Sequence, residues 1–370
     1  MTGDRPSTRR RFLRGLGVTG AVVAGGAAAS SAASAASDDD LILGFDDEFG
    51  RWPAWAAERF ARTVERAVET RDMNGNCYGS WTELTLAERF SPSESLSIPE
   101  RLTGERDDAF DLLTGQEWWT EEEASTVGRA LPAEAMDAFD RVPDVATTPA
   151  IYDGGATHAV PLTLDLAPLA YDTRYFDDPP TSLATLWDEE LSGRLLVRRF
   201  RARYAALHAG QDPDDPDDFD AVADALAGQE PLLYDLDTDE SVTDAFEGPV
   251  VAGIVPWHRI FSMRFEDELP VDYVVPEEGA FFQGYHGVVP ARSRHPDLAR
   301  RFLDWATRPE HAAELVTRAG RKPAVDVAEH VPERYREFLT WPEDATYHPD
   351  DQLDDEVSVR YWDLMREHDP

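Results

Sequence analysis

The chain has 370 residues, 42% of them hydrophobic, with ten tryptophans; that is more than one compact core usually holds, so two domains or lobes are expected, and it is too apolar for a disordered acidic segment. A formal net charge of -38 runs along the whole chain, with Lys322 the only lysine among 35 basic residues. Such a carboxylate surface holds water and salt, reads as the adaptation of an extreme halophile, and excludes nucleic acid and anionic membranes as partners.

In chain order, residues 7–14 read STRRRFLR, followed by GLGVTGAVVAGGAAA and then SSAASAAS. A basic region, an apolar region and a small-residue stretch, in that order, make an export signal over residues 1–36. Thr8-Arg9-Arg10-Arg11-Phe12-Leu13-Arg14 is similar to the twin-arginine export motif, which implies the twin-arginine translocase as a partner during export. The apolar run is short and rich in Gly and Ala for a membrane span. Cleavage is expected near Ala35 or Ala36, and no Cys follows for lipid attachment. The expected location is therefore extracellular or at the cell surface.

LILGF (41–45) reads as an apolar strand, and WPAWAAERFARTVERAVET (52–70) has helical spacing with Pro53 near its start. The single Cys77 excludes a disulfide within the chain and reads as an ordinary small side chain. DAFDLLT (108–114) reads as a strand, and THAVPLTLDLAPLAYD (157–172) as extended segments broken by prolines. RLLV, PVVAGIV (249–255), PVDYVV (270–275) and HGVVP (286–290) are strand-like. Between and after them, DDFDAVADALAG, PDLARRFLDWATR and PEHAAELVTRAG have helical patterns, with Pro296 and Pro309 at helix starts and Gly320 at a helix end. Strands alternate with helices, so the class is α/β. The acidic stretch GQDPDDPDDFD (210–220) lacks the oxygen spacing, central Gly and closing Glu of a calcium loop, and reads as solvation and capping.

The sequence carries no Gly-rich phosphate loop, HExxH or Gly-x-Ser-x-Gly elbow, and its nine His are scattered. His158, His258 and His286 each stand beside a strand end, without the close spacing of a metal site. Catalysis, metal and cofactor are therefore not expected, and export turns the reading toward binding. One oddity remains. In LSGRLLVRRFRARYAAL (191–207), Arg194, Arg198, Arg199, Arg201 and Arg203 gather inside an acidic chain. They either pair with surface carboxylates or grip an anion, since arginine forks match carboxylate, sulfate and phosphate oxygens.

From about residue 161 onward, LATLWDEELSGRLLV, VVAGIVPWHRIF, VDYVVPEEGAFFQGYHGVVPARSRHPDLARRFLDWATRPEHAAELV and YHPDDQL occur in order. This resembles the extracellular solute-binding proteins of ABC importers, and within them the spermidine/putrescine-binding group. The resemblance implies a two-lobed periplasmic-binding-protein-like fold with a hinge and a central ligand cleft. Its layout puts the first lobe at 38–160 plus 285–330 and the second at 161–284 plus 331–370. It implies a permease as partner, a monomer, and no enzymatic activity; a secreted hydrolase and an extracellular sensor of the same fold are the other classes.

Carried over position by position, the resemblance places ligand contacts at Asp46 and Phe49 after the first strand, and at Gln116 and Trp118 where the group has Ser and Tyr. Trp257 keeps the Trp of the Gly-x-Ile segment, and Gln283 and Tyr285 stand for the later Trp and Asp. Where the polyamine group keeps two carboxylates, this chain has VRRFRAR, with Arg199, Arg201 and Arg203. A buried ammonium needs anionic partners, so the exchange points to an anionic or zwitterionic solute, with a polyamine as the alternative.

Overall fold

The computed structural model describes residues 40–45, 49–72, 110–116, 128–142, 157–197, 200–234, 241–291, 293–340, 342, 344–349 and 353–368. The expected export signal lies outside the described residues, as do Cys77, Asp46, Trp118, Arg198 and Arg199.

The chain enters on β1 (Leu41–Phe45), every residue of which is buried. A strand buried on both faces reads as a continuous apolar run rather than an alternation, as LILGF does. The first helix, α1 (Trp52–Val64), has Pro53 in its first turn and stops at Glu65, whose φ of 52° is left-handed. It is shorter than the 52–70 expected from its spacing, because Val68–Asp72 instead forms β2 and pairs in parallel with β1. After β3 (Leu112–Gln116) come the long β4 (Ala159–Ala167) and, across Pro168 alone, β5 (Leu169–Asp172). Then follow β6 (Leu195–Val197), α2 (Arg201–His208), α3 (Phe219–Gln229), α4 (Val242–Glu247), β7 (Ala252–Ile254), α5 (Trp257–Phe265) and β8 (Val271–Val274). The remainder is β9 (Ala280–Val288), α6 (Pro296–Ala306), α7 (Pro309–Ala319), β10 (Lys322–Pro323), α8 (Glu333–Leu339), β11 (Tyr347–Pro349) and α9 (Asp355–Glu367). The capping signals are where the sequence put them: Pro296 and Pro309 open their helices, Gly320 closes α7 at φ 62°, and Asp218 accepts the amides of Asp220 and Ala221 to start α3.

Two sheets result. The larger runs β10-β4-β9-β3-β1-β2, with β11 paired to β9; the smaller runs β6-β7-β5-β8. Strands β1, β2 and β3 are parallel, while β9 is antiparallel to both β3 and β4. The larger sheet packs Leu41, Leu43, Phe60, Leu112, Phe302 and Leu303 into one core, and the smaller gathers Leu169, Leu195, Tyr204 and Ile254 into another. Each such fully buried side chain stabilises by about 1.5–3 kcal/mol. In the smaller sheet β7 needs Gly253, since a Cβ there would lie 2.2 Å from the Leu196 carbonyl oxygen of β6.

Among the described residues the chain passes between the sheets twice. It leaves the larger one at Ala167 and joins the smaller at Leu169; it leaves the smaller at Val274 and rejoins the larger at Ala280. These passages stand at Pro168 and 275–279, against lobe limits expected at 161 and 284. The second is pinned by Glu278, whose carboxylate accepts from Ser182 Oγ at 2.6 Å and the Leu183 amide at 2.9 Å. Gly279 follows with a φ of +104°.

The arginine-rich segment packs on this junction. Phe200 stacks on Phe281 at 5.2 Å, Tyr204 meets it edge-on at 4.9 Å, and the Arg203 guanidinium carbon lies 4.2 Å from its ring centre. The Tyr204 hydroxyl donates to the Ala167 carbonyl and accepts from the Phe281 amide, so one oxygen spans both passages.

Candidate functional site

In open α/β sheets, crevices for small molecules lie off the carboxyl ends of parallel strands. Here those ends are Phe45 of β1 and Gln116 of β3. Gln116 is opposite Tyr285 of β9, Tyr285 is opposite Thr163 of β4, and Gln283 is opposite Asp165. Residues directly opposite share a face of the sheet, so these five positions form one polar patch on three adjacent strands. Phe49 borders it, with its ring edge-on to Tyr285 at 5.5 Å. The structure thus brings together Phe49, Gln116, Gln283 and Tyr285 of the expected contacts.

Asp165 is the centre of the patch. It is 3% exposed within a strand that is buried throughout. A buried carboxylate is costly unless paired, and this one takes three donors. His258 Nδ1 lies 2.7 Å from Asp165 Oδ2, Arg321 Nη1 donates to the same oxygen at 3.2 Å, and the His258 amide donates to Oδ1 at 3.3 Å. The last contact caps α5 from a different element, where Pro256 offers no side-chain oxygen, and it sets a negative charge at the helix amino end. Arg321 is delivered by the left-handed Gly320 that ends α7, and its guanidinium carbon lies 5.6 Å from the Tyr285 ring centre. The cluster is sealed on one side and open on the other: the side chains of Asp165 and Arg321 are 2% and 4% exposed, that of His258 is 15%. Thr163 Oγ1 is buried beside it with no hydrogen-bond partner among the described residues.

The other expected contacts have different surroundings. Trp257 is fully buried; its indole N–H donates to the Phe338 carbonyl at 3.2 Å, and its ring packs on Phe261 and Phe338. It is the next residue, His258, that turns toward the strands. Arg201 is 2% exposed and bonds Gln229 Oε1 at 3.0 Å, the His368 carbonyl at 2.7 Å and the Leu226 carbonyl at 3.4 Å, tying α2 to α3 and the end of α9. Arg203 pairs with Asp214 in the acidic turn. The expectation that these two grip a solute finds no support in such contacts.

Sequence reasoning passed over Asp165, Arg321 and Thr163, and met His258 only as a strand-end histidine. A signal existed for Asp165: an ionisable residue inside LTLDLA announces a buried partner. Nothing marked Arg321 beyond its place after a helix-ending glycine.

The three strand-end histidines sit apart. His158 Nδ1 lies 3.3 Å from the Gly128 carbonyl oxygen, His258 joins Asp165, and His286 is sealed inside β9, where burial lowers its pKa to about 3. Among the described residues no group of three or more His, Cys, Asp or Glu could hold a metal ion, and no helix is long and apolar enough to cross a membrane.

Comparison with known proteins bears on the family and the fold. A family model described as bacterial extracellular solute-binding protein matches residues 114–338. The spermidine/putrescine-binding periplasmic protein of Escherichia coli (strain K12) is 20% identical over 276 residues, 69% of this chain and 78% of that protein. Among solved structures, the spermidine/putrescine ABC transporter substrate-binding protein of Streptococcus pneumoniae, in complex with calcium and HEPES, has a TM-score of 0.73 at 16% identity, covering 89% of this chain and 98% of that one. A GABA receptor structure has a TM-score of 0.61 at 15% identity, covering 89% and 94%. These neighbours share a two-lobed α/β fold.

Proposed function

The chain belongs to the bacterial extracellular solute-binding protein family, and we propose that it captures a small zwitterionic solute at the Asp165–His258–Arg321–Tyr285 cluster and delivers it to the permease of an ABC importer. The observation that carries this is the cluster's charge balance. Asp165 is matched by Arg321, and both stand at the strand ends where the two sheets meet. A solute with several positive charges needs unmatched carboxylates; a solute with one charge of each sign suits a matched pair. Phe49 and Tyr285 supply the apolar wall that small-molecule sites usually have. Gln116, Gln283 and Thr163 add neutral polar groups at the same patch, and Asp46 and Trp118, which follow β1 and β3 in the chain, complete the proposed set. The larger sheet forms the first lobe and the smaller the second. Residues 1–36 serve twin-arginine export, and the mature protein works outside the cell as a binding protein rather than an enzyme, in concentrated salt.

The test is a thermal-stability screen of the mature chain in high salt against amino acids, γ-aminobutyrate, spermidine, putrescine, sulfate and phosphate. A solute bound only by the native state raises the melting temperature by mass action. Stabilisation by a zwitterion is expected; stabilisation by spermidine alone overturns the zwitterion in favour of the polyamine named in the relatives, and no stabilisation by any solute overturns the site.

One observation favours a second reading. Asp165 and His258 form the acid–imidazole pair that a hydrolase uses. Such an enzyme also needs a nucleophile bonded to the imidazole, and the hydrogen bonds of the His258 ring among the described residues go to Asp165 and Arg321. Turnover of p-nitrophenyl esters that disappears in His258→Gln decides for the hydrolase.

A further inference from the structure

Thr163 holds a buried hydroxyl that the described residues leave unmatched. The residue is 1% exposed, and its Oγ1 has no hydrogen-bond partner among them. Pro323 of β10 is opposite it on one side, an apolar ring, and Tyr285 of β9 on the other. Native proteins leave few buried hydroxyls in this state, because the group keeps its desolvation cost with nothing in return. Valine has the same shape without the hydroxyl and would fill the position at no such cost. The surroundings place the hydroxyl in an ordered pattern. Thr163 and Asp165 stand two positions apart on β4, so they share a face of the sheet about 7 Å from each other along the strand. Two rows of side chains cross the sheet there. One is Asp165 with Gln283 opposite and Arg321 donating to it at 3.2 Å. The other is Thr163 with Tyr285 opposite. The first row contains the permanently charged guanidinium; the second consists of two neutral hydroxyl residues.

From this we infer that Thr163 is a specificity residue that hydrogen-bonds the captured solute and sets its class: a zwitterion that carries, besides its two charged ends, an uncharged hydroxyl or amide. The inference rests on the cluster being the solute site. The charged ends belong to the row with Arg321 and Asp165, and the neutral group to the row with Thr163, about two strand positions away. A hydroxyl both donates and accepts, so Thr163 matches an alcohol or either end of an amide equally well. A solute of the same length that ends in a methyl group leaves the buried hydroxyl unmatched and is rejected, as sites built to bond a polar group reject the analogue that lacks it.

Two measurements test this. The first needs no solute: chemical denaturation of the full mature chain and of Thr163→Val in high salt. With the unmatched hydroxyl gone, the midpoint is expected to hold or rise. A lowered midpoint means that the hydroxyl already has a partner, and it overturns the inference. The second titrates glutamine and δ-hydroxynorvaline beside norleucine, which has a methyl group where they carry the amide or hydroxyl. The polar probes are expected to bind the wild type about tenfold or more tightly than norleucine. That preference is expected to vanish in Thr163→Val and to survive in Thr163→Ser. Equal binding of polar and apolar probes, or a preference kept in Thr163→Val, overturns the inference and leaves the site in place. Binding of none of the three overturns the class named here, and the stability screen above then shows whether the site itself stands.

Discussion

Among the described residues, two places bury arginine against a carboxylate, and they differ in what they leave open. In the arginine-rich segment, Arg201 and Arg203 are spent on Gln229, two carbonyls and Asp214, and they fasten α2 to its surroundings. At the strand ends, Arg321 and Asp165 also satisfy each other, yet they hold a third side chain, that of His258, which is 15% exposed. The contrast teaches that a density of charge does not locate a site. A site is where buried pairs fix the orientation of a group that still faces outward.

The sharpest way to break the comparison is to remove one partner of the inner pair. Arg321→Met leaves Asp165 buried without its cation and is expected to cost about 3–5 kcal/mol, with part recovered in the double variant carrying Asp165→Asn. Chemical denaturation in high salt measures both; a cost under about 1 kcal/mol would mean that the pair is solvated and the site looser than described.

A second prediction uses His286, the histidine with no open edge. Burial lowers its pKa from 6.5 to about 3. The folded chain keeps it neutral while the unfolded chain protonates it near pH 6.5, so the unfolded state binds more protons between those values. Its contribution to stability is therefore full above pH 6.5 and falls by about 1.4 kcal/mol per pH unit as the pH drops toward 3. His286→Gln should flatten that part of the stability–pH curve, and an unchanged slope would show that the ring is hydrated.

The smallest effect should come from Arg203→Met. Its partner Asp214 is 46% exposed and can turn to water, so the expected loss is about 1 kcal/mol, with no change in solute affinity. A loss of binding there, measured by titration with whichever solute stabilises the wild type, would return the arginine-rich segment to the site.

Much of this could be read from the chain. The apolar run of β1, the alternating stretch that became β4 and β5, and helices bounded by Pro296, Pro309 and Gly320 follow from local rules, and they fix an α/β fold. Phe49, Gln283 and Tyr285 came from positions in a family pattern; β9 sets Gln283 and Tyr285 on one face, and Phe49 packs on the Tyr285 ring. The centre was hidden for two reasons. Asp165 meets His258 and Arg321 at separations of 93 and 156 residues, and no local pattern reports such a meeting. Trp257 and His258 are adjacent on a helix, where neighbours point about 100° apart. The motif located the start of α5, but its rotation decided which of the two faces the strands. The run of arginines misled because charge pattern is silent on whether a guanidinium meets water, solute or a carbonyl.

Tyr204 has a mechanical consequence. With its hydroxyl bonded to Ala167 on one passage and Phe281 on the other, the two strands cannot slide past each other without breaking it. The same hydroxyl therefore ties the end of β4 and the start of β9 to α2. Asp165 lies two positions from Ala167, and Gln283 two from Phe281, so the polar patch sits directly beside this tie and is held in register by it.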